Sequence, residues 1–142
     1  MKKVKTVVAT GVFEIIHPGH ILFLKEAKKL GDRLVVIITR DVNVKKYKRM
    51  PHINEEQRRQ VVEALKPVDK AILGDEKDPL KPILKIRPDV IALGFDQEID
   101  EEELKKKLLE RKLKIKIVRI HKYWDEALHS SSHIIQKIKG EK

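Results

Sequence analysis

Two histidines three residues apart, His17 and His20, are the residues of this sequence best placed to do chemistry. They bracket Pro18 and Gly19 where a helix is predicted to begin, so both imidazoles share one face of its first turn. A helix N-terminus carries backbone N–H groups without intrahelical partners and a positive partial charge, and it therefore binds anions. Imidazole N–H groups placed there can donate hydrogen bonds to phosphate oxygens. The pattern predicts a phosphate site; a histidine metal site completed by Glu14 and a simple helix cap are the alternatives.

The segment around these histidines, residues 10–20, excludes two common classes of nucleotide site. It contains neither the G-x-G-x-x-G pattern of dinucleotide-binding folds nor the Walker motif of P-loop proteins. The sequence also has no cysteine, which excludes disulfides, thiolate metal sites and a cysteine nucleophile. Whatever reaction the chain performs is therefore not thiol chemistry.

Polar and aromatic residues also follow the later strand-like runs. Gly94 and Asp96 follow the fourth run, where a carboxylate and backbone groups can contact a ribose or a base; an incidental turn is the alternative. Tyr123 follows the fifth run and either stacks on an aromatic ligand or packs in the core. Ser131 and Ser132 stand near the predicted start of the last helix, where hydroxyl groups hold a phosphate or simply cap the helix.

Strand-like runs and helical patterns alternate along the chain. Runs rich in Val, Ile and Leu predict strands over residues 4–9, 34–39, 68–73, 89–93 and 115–120. Helical spacing predicts helices over 18–30, 54–65, 79–86, 100–112 and 130–139, with a basic loop over 40–53. This alternation predicts a doubly wound, Rossmann-like α/β fold with five parallel strands, in one domain over residues 1–142. In such sheets ligands bind at the carboxyl ends of the strands, where the candidate residues stand.

The charge balance indicates an anionic partner. The 142 residues include 32 Lys and Arg against 22 Asp and Glu, a net charge of +10, while 41% hydrophobic residues supply a core. No apolar run approaches the roughly 20 residues of a membrane-spanning helix. An RRM-like aromatic pattern, a KH loop and a helix-turn-helix signature are also absent from the sequence. We therefore expect a cytoplasmic protein that binds neither membranes nor nucleic acid, and we expect the lysines at 105–107 to be solvated.

The stretch G-V-F-E-I-I-H-P-G-H at residues 11–20 resembles the G-x-F-D-x-x-H-x-G-H signature of the cytidylyltransferase-like nucleotidyltransferases. The resemblance covers nearly the whole chain, and Glu14 stands where the family usually has Asp. It implies nucleotidyl transfer, in which a phosphate attacks the α-phosphate of a nucleoside triphosphate and pyrophosphate leaves. The nucleotide-binding residues that it implies are Thr10, Gly11, Val12, Phe13, His17, Pro18, Gly19, His20, Lys45, Gly94, Asp96, Tyr123, Ser131 and Ser132.

The resemblance implies a catalytic role for four residues: His17, His20, Lys46 and Arg58. Arg58 belongs to a helix similar to the family's E-x-R helix, whose arginine reaches a phosphate. Lys45 and Lys46 occupy the position of mobile lysines that relatives place over the triphosphate. A divalent ion, Mg²⁺, is expected to accompany the triphosphate, without metal ligands from the protein.

The substrates that the resemblance implies are ATP and FMN. Among the small single-domain members of the family, the chain is most similar to those that adenylylate FMN. Members that use CTP usually carry Arg-Thr where this chain has Asp125-Glu126. Glycerol-3-phosphate cytidylyltransferase activity is the alternative, and a basic nucleic-acid-binding domain without catalysis is a third hypothesis. Relatives commonly form dimers, so we expect a homodimer.

Overall fold

Five parallel strands form one sheet whose strand order reverses once. The strands are β1 (Thr6–Gly11), β2 (Arg33–Ile38), β3 (Lys70–Leu73), β4 (Val90–Leu93) and β5 (Lys116–Arg119). This computed structural model describes residues 3–47, 51–95, 97–121, 135 and 138–140, with only the backbone of 45–47. The order of the strands in the sheet is β3-β2-β1-β4-β5. All four pairings between neighbouring strands are parallel. The predicted doubly wound α/β fold is confirmed.

The helices are α1 (Pro18–Lys28), α2 (Asp41–Tyr47), α3 (Glu55–Glu63), α4 (Lys81–Ile86) and α5 (Glu101–Glu110). The prediction of a loop over 40–53 is wrong in its first half, because α2 occupies residues 41–47. Most of the predicted last helix, 130–139, lies outside the described residues, although Ile135 and Ile138 are helical. None of the helices in the described ranges has the length and apolar character needed to cross a membrane.

Both faces of the sheet are covered because its strands are apolar on both faces. Val7 of β1 points to one side and packs in a cluster with Leu24 of α1 and Val62 of α3. Its neighbour Val8 points to the other side and packs in a second cluster with Leu108 of α5. Each such side chain stabilises the fold by roughly 1.5–3 kcal/mol when it leaves water. The two clusters make the sheet a rigid support for the segments at its edges.

The strand order reverses between β1 and β4. From β1 the chain runs to β2 and β3 on one side, and β4 and β5 then build the other side. In α/β sheets, ligands bind in the crevice outside the carboxyl ends of the strands at such a reversal. The backbone pairing of the two strands ends at Ala9 and Ala92. The segments that follow them, residues 12–17 on one side and the described residues 94, 95 and 97–100 on the other, therefore flank the crevice.

Candidate active site

His17 and His20 hold the first turn of α1 through a reciprocal pair of hydrogen bonds. His17 precedes the helix in an extended conformation (φ −142°, ψ 171°), and its Nδ1 accepts from the Gly19 N–H at 3.1 Å. The Nδ1 of His20 accepts from the His17 N–H at 3.3 Å. The two imidazoles therefore form the capping box that Ser or Thr and Glu usually form. Because each Nδ1 is an acceptor, each neutral ring carries its proton on Nε2.

The two imidazole rings are stacked. Their centroids are 3.8 Å apart and their planes lie at 28°. Two positive charges at this separation repel, so the stack favours states in which at most one ring is charged. His17 is buried and His20 is partly exposed, with the Phe13 ring against His20 at a centroid distance of 5.2 Å. The pair is thus a fixed set of donors at a helix N-terminus, which is the environment that a phosphoryl group requires.

The segment after β1 turns sharply at Phe13. This residue has a φ of 50°, a left-handed conformation that is uncommon for a residue with a side chain, and its ring is buried. A Cβ atom at Gly11 would lie 2.6 Å from the Phe13 ring, so glycine is required there. Gly11 and Phe13 thereby shape the turn that leads to the histidines. Direct nucleotide contacts stay predictions for the residues of this segment, Thr10, Gly11, Val12, Phe13, Pro18 and Gly19.

Arg58, for which a phosphate contact is predicted, is buried and bonded within the chain, and the phosphate contact itself stays a prediction. The residue is only 1% exposed, and its guanidinium donates to the carbonyl oxygens of Val12, Thr39 and Ile53 at 2.8, 2.9 and 3.0 Å. It also donates to Oδ1 of Asp41 at 2.6 Å. These acceptors come from the ends of β1 and β2, the start of α2 and the segment before α3. Arg58 is therefore a buried clamp that joins four segments at the carboxyl edge of the sheet.

Glu14, which replaces the usual Asp of the family, ties the segment after β1 to the segment before α3. Its carboxylate is buried and accepts from the backbone N–H groups of His52 and Ile53, the second at 3.3 Å. The longer side chain therefore makes a structural hydrogen bond. Among the described residues, no group of three His, Asp or Glu side chains is placed to hold a metal ion.

The N-termini of α2 and α3 are bonded to each other. The Asp41 N–H donates to Oε1 of Glu55 at 2.8 Å, and the Glu55 N–H donates to Oδ2 of Asp41 at 3.2 Å. Arg40 adds a bond from Nε to Oε2 of Glu55 at 2.8 Å. This network fixes the start of α2 and hence the backbone that carries Lys45 and Lys46. The side chains of the two lysines are not among the described atoms, so their contact with a triphosphate stays a prediction.

An acidic turn after β3 adjoins α2. The N–H groups of Asp78 and Lys77 donate to the Asp75 carboxylate at 2.7 and 3.0 Å and hold the pKa of Asp75 below its ordinary value. The Asn43 side chain on α2 donates to the Asp75 carbonyl oxygen at 3.3 Å. Because the carboxyl pKa is lowered, these bonds stabilise the folded chain at neutral pH and are lost as the pH falls through that pKa.

The segment after β4 is held by Gln97 and Arg119, which sequence reasoning did not include among the candidate site residues. The Gln97 carboxamide bonds to the Gly94 N–H and to the Thr10 carbonyl oxygen. Arg119, the last residue of β5, donates to the carbonyl oxygens of Gly94, Gln97 and Ile99. Both backbone polar groups of Gly94 are thus bonded within the chain, and its contact with a nucleotide stays a prediction. The position of Gln97 shortly after β4 and of Arg119 at the end of β5 is the sequence feature that could have marked them as candidates.

A depression of about 510 Å³ lies along α1, beside the histidines. Its lining is apolar except for one imidazole and one ammonium group, and consists of Ile16, His17, Pro18, Ile21, Leu22 and Lys25. The depression is open to solvent on one side, so a ligand there would contact α1 with one face.

Four of the predicted site residues lie outside the described residues: Asp96, Tyr123, Ser131 and Ser132. Their contacts with a nucleotide stay predictions. The expected solvation of the lysines at 105–107 is confirmed, since all three are exposed on α5 and Lys107 pairs with Glu103 at 3.2 Å.

Comparisons with known proteins identify the family. Residues 8–137 match the model of the family described as cytidylyltransferase-like. An FAD synthase of Ferroglobus placidus is 63% identical over 134 residues, covering 94% of this chain and 88% of that protein. An FAD synthase of Archaeoglobus fulgidus is 58% identical, covering 92% of this chain and 94% of that protein. The crystal structure of a lipopolysaccharide core biosynthesis protein from Thermoplasma volcanium superposes with a TM-score of 0.84 and 47% identity, covering 86% of this chain and 100% of that chain. This chain therefore belongs to the cytidylyltransferase-like family and, within it, to the FAD synthases.

Proposed function

We propose that this protein transfers the AMP group of ATP to the phosphate of FMN, giving FAD and pyrophosphate. An oxygen of the FMN phosphate forms a bond to the α-phosphorus of ATP. The bond from that phosphorus to the bridging oxygen of the β-phosphate breaks, and pyrophosphate leaves with the electron pair. The observation that carries the proposal is the stacked, backbone-anchored pair His17 and His20 at the start of α1, in a chain 63% identical to an FAD synthase.

The two histidines stabilise the charge that develops on the α-phosphoryl group. Each neutral ring carries its proton on Nε2, because the Nδ1 atoms of His17 and His20 accept backbone N–H groups. Both rings are fixed before the substrate binds, so little reorganisation opposes the reaction. The N-terminus of α1 adds its positive partial charge. The FMN phosphate is already an anionic nucleophile, so the reaction requires positioning and charge stabilisation rather than a general base.

Mg²⁺ enters this proposal as part of the substrate. Within the described ranges no three metal-ligating side chains are grouped together, and the Glu14 carboxylate is bonded to two backbone N–H groups. The ion would therefore be held mainly by the oxygens of the triphosphate, where it neutralises part of their charge. Lys45 and Lys46 would add to that neutralisation from α2.

The depression along α1 is the proposed contact surface for the flavin ring. Ile21 and Leu22 supply apolar wall, and His17 places the depression beside the proposed reaction centre. An isoalloxazine ring is a large apolar surface that binds favourably against aliphatic side chains. Lys25 offers a cation at the rim for an anionic or carbonyl group of the flavin. A homodimer and a cytoplasmic location complete the proposal, and sedimentation of the purified protein tests the first.

Product analysis tests the proposed function. The purified protein is incubated with Mg²⁺ and either ATP with FMN or CTP with glycerol 3-phosphate, and the products are identified by mass. We expect FAD and pyrophosphate from the first pair and little product from the second. His20→Ala, prepared in parallel, separates enzymatic product from a contaminating activity. Efficient use of CTP and glycerol 3-phosphate with no flavin product would contradict the proposal.

A further inference from the structure

Gln97 lies where β1 and β4 separate, at the base of the crevice. The backbone pairing of these strands ends at Ala9 and Ala92. Beyond that pair, Oε1 of Gln97 accepts from the Gly94 N–H at 2.6 Å, and its Nε2 donates to the Thr10 carbonyl oxygen at 3.1 Å. The side-chain amide of Gln97 therefore links the segments after β1 and β4 beyond the last backbone pairing of these strands, and it joins the two sides of the crevice.

Arg119 holds the same segment from the adjacent strand. Its side chain is 16% exposed, and it donates to the carbonyl oxygens of Gly94, Gln97 and Ile99 at 2.8, 2.7 and 2.6 Å. Its Nε also donates to Oε1 of Glu101 at 2.9 Å, which fixes the plane of the guanidinium. Three carbonyl groups bonded to one rigid group cannot shift independently. Gly94, Gln97 and Ile99 are thus held together around Arg119.

We propose that Gln97 and Arg119 are positioning residues that hold Gly94 and residues 97–99 against the nucleoside of the triphosphate and so set the preference for its base. The inference rests on the proposed function, since it states how that same site selects its nucleotide. Phe95, which follows Gly94 at the carboxyl end of β4, is 47% exposed. A site rejects the wrong base strongly only when its polar groups are held in place and are left unpaired by that base. Loosening the segment should therefore weaken the choice of base while the histidines continue to act on the phosphates.

Two variants loosen the segment with little change in volume. Gln97→Glu keeps the shape of the side chain but replaces the donor to the Thr10 carbonyl with a carboxylate oxygen. Arg119→Lys keeps the charge but removes the planar set of donors. The matched controls are Gln60→Glu and Arg111→Lys, because the side-chain bonds that these residues make to Glu56 and to Asp78 are exposed.

The experiment measures dissociation constants for ATP and CTP by calorimetry, and KM and kcat for ATP in FAD formation. For both test variants we expect the Kd and KM for ATP to rise by about 10-fold and kcat to change by less than about 3-fold. The ratio of the CTP and ATP dissociation constants should move toward one. Both controls should keep the wild-type values, and melting temperatures establish that each variant is folded. If Arg119→Lys does not fold, Gln97→Glu decides the question.

Folded test variants that keep the wild-type constants for both nucleotides would overturn the inference. A loss of kcat with unchanged Kd would overturn it as well, since that result would place the effect on the chemical step. The binding ratio does not depend on FMN. If the wild-type protein prefers ATP but forms no FAD, the proposed function fails, and the nucleotide constants still decide the inference.

Discussion

His17 and His20 each have a structural and a chemical part in the site. The Nδ1 atom of each ring accepts a hydrogen bond from a backbone N–H group at the first turn of α1. The Nε2–H group of each ring is the donor proposed for a phosphate oxygen. Replacing either residue with Ala removes both parts at once. A substitution that keeps only the cap is therefore more informative than a simple truncation.

His17→Asn makes that separation, because Asn is a strong N-cap residue but offers no imidazole donor. We expect kcat for FAD formation to fall by about 100-fold, the scale of losing one fixed transition-state donor, with little change in the melting temperature. His17→Ala should show the same loss of kcat and lose about 1 kcal/mol of stability with the cap. Steady-state kinetics and thermal unfolding are the measurements. Near-wild-type turnover of His17→Asn would remove His17 from the proposed chemistry.

Arg58 and its neighbour Arg59 provide a test of the buried clamp. Arg58→Met leaves three carbonyl oxygens and the Asp41 carboxylate without their donor, and we expect a loss of about 3 kcal/mol in the free energy of unfolding. Arg59→Met is the control, since the partly exposed Arg59 pairs mainly with Glu56 and Glu63 of its own helix and should destabilise the chain much less. Urea unfolding measures both. Equal stability of the two variants would show that the Arg58 bonds do not hold the fold.

The secondary-structure elements show which part of the fold the sequence predicted and why. The strands were predictable because a strand buried on both faces needs continuous apolar residues, as in β2, whose residues 34–38 are all buried. α2 was missed because its residues, D-V-N-V-K-K-Y, carry two valines and no longer apolar repeat. Its position depends instead on Asp41 and Glu55, whose contact arises only when the chain is folded.

The candidate site, like the fold, was predictable where it depends on local sequence and not where it depends on tertiary contacts. His17 and His20 stand in a local motif, and local hydrogen bonds place them, so their spacing together with the preceding strand and the start of a helix predicted an anion site. The role of Arg58 was not predictable, because its acceptors lie up to 46 residues away in the sequence. A charged residue on a short helix looks like a surface residue until its tertiary partners are known. The same holds for Arg119, whose carbonyl partners are 20–25 residues away.

The apolar residues of α1 that line the depression support a prediction about the binding of FMN. Ile21→Gln places a polar amide in the wall of the depression without altering the histidines. We expect the KM for FMN to rise by about 10-fold, with the KM for ATP unchanged, because burying an unpaired amide against a flavin ring is unfavourable. Leu109→Gln, at an exposed position on α5, is the control. An unchanged KM for FMN would place the flavin ring elsewhere.

Across the whole molecule, the charge of +10 suits a reaction whose two substrates and two products are all anions. Part of this charge is local, since Lys45 and Lys46 follow the fixed start of α2. Another part is dispersed over exposed surfaces such as Lys105 and Lys106 on α5. Local charges next to a crevice accelerate capture of an anion more than the same number of charges elsewhere, because screening limits their range to about 10 Å at 0.1 M salt.

The dependence of activity on ionic strength distinguishes these two contributions. Raising the salt concentration from about 0.1 to about 1 M shortens the screening length from about 10 to about 3 Å, so kcat/KM for ATP should fall by about 10-fold or more while kcat changes little. The double variant Lys45→Gln with Lys46→Gln should lower kcat/KM at low salt and flatten this dependence. Lys105→Gln with Lys106→Gln removes the same charge from α5 and should leave the slope close to wild type. The measurement is kcat/KM across a KCl series at constant free Mg²⁺. Equal slopes for the two double variants would mean that capture of ATP depends on the net charge of the molecule and not on the lysines of α2.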